Sequence, residues 1–498
     1  LPTNQPSVLM KNRPNILFIM VDNMPAELLG CYGNDEIHTP HIDNLAQGGI
    51  QFDEAYCPNA MCSPCRASAL TGLMPSQHGV HTWLDDRVMH RWPEKWGAIE
   101  EFNSLPKTLK VHGYQTALIG KYHIGDPAIA QDGFEHWISF PHGHTLNFYN
   151  NTVIENGCTD TYAGHSVDYF TGKAVEYLDR YDAGADRPFF MFLTYNAPYG
   201  HWPACKGPSD NRFASLYEQT PMHSVPRRGL NKKTIDLYEL QKHLSGGGLD
   251  FGALLRIPND LTTLRNYFSQ MSMVDDGVGQ VLSALTRNRL DNTLVIYTAD
   301  HGFSLGHNGF WGHGQACWPS SPHHASFNIP LIVSHTNRIT DSRKSEIMVS
   351  GVDLFATILD YVGLSSELDG STSASRSFAP ALQDDSADWQ NRVFMEQEET
   401  RAIRTPQWLY MKRFKGSETF PLEDELYDLQ NDPNEESNLL ADSASPPILT
   451  ELDKQLDAFF SDHLDPRFDL WSGGAVKSNS SRTWLWEDAW GDSWKPVY

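Results

Sequence analysis

Residues 15–23 read NILFIMVDN: six consecutive apolar residues, Ile16 to Val21, that stop at Asp22-Asn23. An unbroken apolar run does not alternate, so both of its faces must be covered. That is the pattern of a strand inside a parallel sheet. Three other stretches repeat it. QTALIGKYHIG runs Thr116 to Ile119 and is followed by Lys121 and His123. PFFMFLTYNAPYGHW runs Phe189 to Leu193 and reaches His201. NTLVIYTADHG runs Leu294 to Ala299 and stops at Asp300-His301. Each is bounded by Gly, Pro or polar residues.

Helical patterns separate these runs. In residues 262–285, Tyr267, Met271, Val274, Val278, Val281, Leu282 and Leu285 fall on one stripe. Residues 105–113 and 167–181 are shorter examples. Strands alternating with helices predict an α/β fold with a large, mostly parallel central sheet. In such a sheet the ligand crevice lies beyond the carboxyl ends of the strands. All four runs carry charged or imidazole residues just past that end. Capping explains one such coincidence; it explains four poorly.

The pattern changes near residue 389. RVFMEQEE, RAIRTPQWLYMKRF and DELYDLQNDP read as short antiparallel strands with turns at Thr405-Pro406 and Asn431-Asp432-Pro433. A helix follows, with Leu449, Leu452, Leu456, Phe459 and Phe460 on one face. The expected organisation is a catalytic domain over residues 1–388 and a smaller C-terminal α+β subdomain with an antiparallel sheet over 389–498. Residues 205–260 form a long stretch of weak periodicity, expected to be a lid or binding loop.

The bulk numbers exclude several functions. The chain has 498 residues and a formal net charge of −24. That is the wrong sign for a nucleic-acid binder and disfavours an anionic membrane surface. No apolar run is long enough to span a bilayer. An anionic substrate remains compatible if a local positive site overcomes the global field. The seven cysteines are too scattered for a small-domain disulfide framework.

Three of those cysteines crowd into residues 55–72, AYCPNAMCSPCRASALTG. Cys62-Ser-Pro-Cys65 has no second Cys or His pair at zinc-ligand spacing. A thioredoxin-type redox pair would sit in a small domain, and that reading is kept as an alternative. Cys62-x-Pro64-x-Arg66, followed by a helix ending in Thr71-Gly72, resembles the signature of the formylglycine-dependent sulfatases of the alkaline phosphatase superfamily. The resemblance continues through most of the chain. TPHIDNLAQGGIQF, IGKYHIG, YTADHG, GVDLFATILDYVGL and ELYDLQNDPNEESNLL look like family motifs in the family's order.

The resemblance implies a sulfuric ester hydrolase. Its nucleophile would be formylglycine, made from Cys62 by a formylglycine-generating maturation enzyme. It would bind one divalent cation, usually Ca2+, through Asp22, Asn23, Asp300, His301 and the modified Cys62. Asn23 stands where relatives usually carry Asp. Arg66, Lys121 and His123 would support the nucleophile and the sulfate. His201, two residues later than the usual His after Ala-Pro, or His313, in place of the usual Lys, would serve the leaving group. Tyr199 alternatively marks a rearranged loop there. Cys57 and Cys65, where Ser is common, are expected to be packed thiols or disulfide halves.

The resemblance does not choose a substrate. Trp83, Arg87, His90, Arg91, His142, His144, Arg227 and Arg228 hint at a sulfated oligo- or polysaccharide, in a periplasmic or extracellular protein. Tail tryptophans Trp484, Trp486, Trp490 and Trp494 are expected to pack on the catalytic domain. The alternatives are a formylglycine phosphodiesterase or phosphonate monoester hydrolase, and a non-catalytic sulfoglycan-binding relative.

Overall fold

The computed structural model describes residues 13–181, 187–201, 204–206, 210–244, 259–368, 372–384, 388–441, 446–480 and 482–498. Ten strands form the central sheet. They are β1 (Asn15–Asp22), β2 (Ile50–Phe52), β3 (Gln115–Lys121), β4 (His136–Phe140), β5 (Asn151–Glu155), β6 (Cys158–Tyr162), β7 (Phe189–Pro198), β8 (Thr293–Ala299), β9 (Leu331–Ser334) and β10 (Arg343–Ser345). Their order is β10-β2-β9-β8-β1-β7-β3-β4-β5-β6.

The middle of this sheet, β8-β1-β7-β3-β4, is parallel throughout. Every residue of β1 is buried, as the unbroken apolar run requires. The four expected strands are β1, β3, β7 and β8, four of these five. The flanking pairs β9–β8, β9–β2, β4–β5 and β5–β6 are antiparallel. Those edge strands are short and partly polar, which is why their pattern does not stand out in the sequence.

Helices cover both faces. They are α1 (Pro40–Gln47), α2 (Cys62–Thr71), α3 (Leu105–Val111), α4 (Ser166–Arg180), α5 (Leu261–Arg287) and α6 (Asp353–Tyr361). The stripe of α5 is buried from Tyr267 to Leu285, with only Leu282 half-buried, against α4 and β7. Helix α2 is buried along its whole length, which fixes its first residue, Cys62, inside the molecule.

Beyond the large sheet lies a four-stranded antiparallel sheet: β11 (Val393–Gln397), β12 (Thr400–Arg404), β13 (Trp408–Arg413) and β14 (Glu425–Asp428). Helix α7 (Ile448–Asp462) buries Leu452, Leu456 and Phe460 on it, beside Ile403, Tyr410 and Leu426. Leu449 and Phe459 pack at the rim of that cluster. The tail continues through α8 (Thr483–Trp490). Trp486 and Trp494 are buried with Trp318, Phe414 and Phe420, while Trp484 lies at the edge of that cluster and Trp490 is part-exposed. The stretch 205–260 is only partly among the described residues. There it holds a short 3-10 turn at Ala214–Tyr217 and a helix at Lys232–Leu244. The weak periodicity hid that helix. Among the described residues no helix is long and apolar enough to cross a membrane.

Candidate active site

The carboxyl ends of β1, β3, β7 and β8 and the amino end of α2 meet at one place. Close strand approach makes this possible. Gly120 has φ +120°, and a Cβ there would fall on the Thr194 carbonyl oxygen of β7. Only glycine lets β3 run that near, so Lys121 emerges next to β1. Asn23, His123 and Tyr199, each just past a strand end, have φ of 63°, 58° and 43°. Non-glycine residues in this region are uncommon, and they gather where a chain must aim a side chain.

The site is built around two buried ion pairs. Lys121 Nζ donates to Asp22 Oδ2 at 2.6 Å. Arg66 donates from Nε and Nη2 to Asp300 Oδ2 at 3.1 and 2.8 Å, and from Nη1 to the Lys121 carbonyl at 2.8 Å. All four side chains are fully buried. The charges cancel, so the protein alone offers an anion no net positive charge here. Burial, then Asp300, raises the Asp22 carboxyl against the pull of Lys121. For Asp300 the burial penalty is outweighed by His301, Arg66 and Lys121, which hold it below the usual carboxylate range.

Cys62 Sγ lies 3.5 Å from Asp22 Oδ1 and 3.5 Å from His301 Nε2. Burial and then Asp22 push its thiol well above the usual range. Burial does the same to Cys57 and Cys65. A reactive thiol needs the opposite shift, so these shifts lend no support to the C-x-x-C redox reading. All three are free thiols.

Ligand atoms of Asp22, Cys62, Asp300 and His301 all lie within 4.8 Å of one another. His301 Nδ1 donates to the Gly302 carbonyl at 2.8 Å, which fixes the tautomer and leaves Nε2 with its lone pair. Asn23 is completely buried, and both polar atoms of its side chain lack a hydrogen-bond partner. Its backbone N–H donates to Asp300 Oδ1 and its carbonyl accepts from Tyr267 Oη. A buried amide with two orphaned atoms beside two carboxylates is costly without a ligand. The oxygens of Asp22, Asp300 and Asn23 suit a hard divalent cation such as calcium, with the His301 nitrogen and Cys62 beside them. The cation would also supply the positive charge that the two ion pairs cancel.

Imidazoles line the approach. His123 Nε2 bonds the Leu84 carbonyl at 2.8 Å, and its buried Nδ1 has no partner. His313 Nδ1 bonds the Ala60 carbonyl at 2.7 Å. His201 packs edge-on to Phe303 and lies 4.5 Å, centroid to centroid, from His313. His144 Nδ1 meets Tyr199 Oη at 2.7 Å, and the Tyr199 ring faces Lys121 Nζ at 5.6 Å. Burial disfavours the charged form of these rings. It lowers His201 to about 3 and His144 to about 4, with His144 and Lys121 as the next causes respectively. His123 and His313 also sit well below the usual value, from burial and then Lys121 and His301.

Of the outer residues, Trp83 and His144 reach this cluster, ring to ring at 4.6 Å. Arg87 pairs with Asp85 and leans toward Trp83, and His142 meets Asp86 at 3.3 Å. His90 and Arg91 are exposed further out. Arg227 bonds Asn259, and Arg228 pairs with Glu436. Sequence reasoning missed the contact between Tyr199 and His144, and the two carbonyls that orient His123 and His313. Backbone carbonyls leave no mark in a sequence. The Ala-Pro-Tyr199 step does leave one, because Tyr199 stands where an imidazole was expected.

A large, mostly parallel sheet flanked by helices, with a small C-terminal antiparallel sheet, is the alkaline-phosphatase-like fold. Residues 14–364 match the family model described as Sulfatase, and residues 321–462 match N-sulphoglucosamine sulphohydrolase, C-terminal. The chain belongs to the sulfatase family and is a sulfuric ester hydrolase. An N-acetylglucosamine-6-O-sulfatase of Bacteroides thetaiotaomicron is 27% identical over 494 residues, covering 86% of this chain and 82% of the relative. The human N-sulphoglucosamine sulphohydrolase is 28% identical over 75% of this chain and 67% of its own. A sulfatase YidJ structure from Bacteroides fragilis superposes with a TM-score of 0.72 at 22% identity, covering 95% of this chain and 99% of that one. A phosphonate monoester hydrolase of Agrobacterium radiobacter shares the fold at a TM-score of 0.66 and 18% identity, over 91% and 97% of the two chains.

Proposed function

We propose that this protein removes sulfate from a sulfated oligo- or polysaccharide through a nucleophile made from Cys62. One observation carries the reading. The buried Cys62 sulfur, at the first residue of α2, lies 3.5 Å from both Asp22 and His301, inside a group of ligand atoms that could hold a metal ion. Oxidised to formylglycine by a maturation enzyme, it would supply a hydrated aldehyde as nucleophile. Asp22, Asn23, Asp300 and His301 would hold Ca2+, which supplies positive charge at the sulfate.

The remaining roles belong to residues of the chain. Arg66 holds Asp300 in place, and Lys121 holds Asp22. Both remain close enough to stabilise negative charge on the sulfate, and charge fixed in a buried site acts strongly. His123 positions the sulfate beside Lys121. His313 or His201 protonates the leaving alcohol oxygen. Trp83 and His144 shape the outer rim where a sugar ring would sit, with Arg87, His90, Arg91, His142, Arg227 and Arg228 beyond it.

A glycan sulfate is favoured over a phosphoester because relatives covering most of the chain are named as sugar sulfatases. We place the division between catalytic domain and C-terminal subdomain at 388/389, where the α/β alternation ends, and the protein in the periplasm or outside the cell. The test is a panel of defined sulfated saccharides scored for sulfate release by protein co-expressed with a maturation enzyme. Phosphodiester and phosphonate esters are assayed beside it. Faster phosphoester cleavage would move the protein to the rival hydrolase class. An unmodified Cys62 in inactive protein would favour a binding role.

A further inference from the structure

Residues 463–498 lie beyond both matched family segments, yet they return to the active site. Lys477 N–H donates to the Gly79 carbonyl, and its ammonium bonds the Ala98 carbonyl and Glu101. This anchors the tail beside the loop that follows α2. Two residues on, Asn479 straddles that loop. Its carbonyl accepts from Thr82 Oγ1 at 2.9 Å, its Nδ2 donates to Thr82 Oγ1 at 3.3 Å, and its Oδ1 accepts from the Asp85 N–H at 3.1 Å.

Between Thr82 and Asp85 lie Trp83 and Leu84. Leu84 N–H donates to Ser63 Oγ at 2.9 Å, one residue after Cys62. The Leu84 carbonyl accepts from His123 Nε2 at 2.8 Å. That bond gives His123 its tautomer. The proton sits on Nε2, and Nδ1 is left as the unpartnered atom. Among the described residues no other hydrogen bond constrains the His123 ring, so the position of one carbonyl decides which nitrogen the site sees.

We propose that Asn479 is a positioning residue for His123: it clips residues 82–85 so that the Leu84 carbonyl holds the imidazole in one tautomer and one orientation. The inference rests on the role assigned to His123 above. It makes the C-terminal tail part of the active site rather than an appendage packed on it. A second line of contacts from the tail to the site region runs separately. Ser480 and Trp486 bond Glu398, whose neighbour Gln397 accepts from Ala60 N–H, and Ala60 orients His313. Asn479 should therefore couple to His123 and not to His313.

A double-mutant cycle separates positioning from mere support. The rate measured is kcat/KM for nitrophenyl sulfate. Asn479→Ala is expected to lower it roughly three- to tenfold, the scale of one lost hydrogen bond, with Tm within about 2 °C of wild type. In a His123→Ala background the same change should cost nothing further. In a His313→Ala background it should cost its full factor. Asn479→Asp keeps an acceptor for the Asp85 N–H and should recover most of the loss. The inference is overturned if Asn479→Ala has wild-type activity, or if its effect multiplies with that of His123→Ala. It is also overturned if Asn479→Asp, at wild-type Tm, is as impaired as Asn479→Ala. Wild-type activity of His123→Ala alone would instead remove the role assigned to His123, and this inference with it.

Discussion

His313 lies against His301, ring centroids 3.8 Å apart and planes 28° apart. Each ring has one nitrogen tied to a carbonyl, His301 Nδ1 to Gly302 and His313 Nδ1 to Ala60. Positive charges on both rings at once would repel at this distance. His301 faces the cation site, which leaves His313 as the ring able to hold a proton for the substrate.

That sets the first prediction. An imidazole acid loses its proton near about pH 6.5 when unperturbed, whereas an ammonium keeps it to about pH 10. Burial and the neighbouring His301 and His201 shift His313 further down. If His313 is the acid, kcat/KM on a sugar sulfate falls as pH rises, and His313→Lys moves that alkaline limb upward. His313→Ala flattens it at a lower rate. Nitrophenyl sulfate, with a good leaving group, shows less of the effect. An identical limb in wild type and His313→Lys would pass the role to His201.

Of the three clustered cysteines, Cys62 is the one whose sulfur meets both Asp22 and His301. Carbonyl-specific labelling and peptide mapping of active protein should therefore place the aldehyde on Cys62. A label on Cys65, or active protein with none, would end the formylglycine reading.

Asn23 at φ 63° sits in a conformation that aspartate also tolerates. Asn23→Asp adds a third carboxylate beside Asp22 and Asp300. Calcium titration of chelator-stripped protein should show tightening of about tenfold or more, since site charge tunes affinity. Without the ion the variant should melt below wild type, because the added charge is buried and unpaired. Equal or weaker calcium binding would mean that Asn23 is not a ligand.

Much of this was legible because buried parallel strands announce themselves. Ile16–Val21 and Leu294–Ala299 are unbroken apolar runs, and the residues ending them, Asp22 and Asp300, converge simply because neighbouring parallel strands end side by side. The signature helix was equally plain, since Pro64 and Arg66 stand at fixed offsets from Cys62. Edge strands such as Cys158–Tyr162 were not, because an exposed polar strand has the composition of a loop. Nor was the grip of Asn479 on residues 82–85, which joins segments almost 400 residues apart by pairing side chains with backbone groups, and the backbone partner leaves no mark in a sequence.

The last prediction concerns a histidine away from the site. His165 caps α4, its Nδ1 accepting from Val167 N–H at 3.3 Å while Nε2 meets Gln270 Oε1 at 2.8 Å. Protonation at Nδ1 would destroy the cap inside a buried setting, and burial lowers the ring to about 4. The sign follows from linkage. The unfolded chain binds the proton near about pH 6.5 and the folded chain only near 4. Stability from this residue is therefore intact above about pH 6.5 and declines as pH falls toward 4. The loss is about 3 kcal/mol at most, at about 1.4 kcal/mol per pH unit. Asn at position 165 keeps a capping oxygen without titrating. Urea unfolding of His165→Asn between pH 4.5 and 7 should show a shallower acid decline than wild type, with similar stability at pH 7. Parallel curves for the two proteins would show that His165 does not set the acid limit.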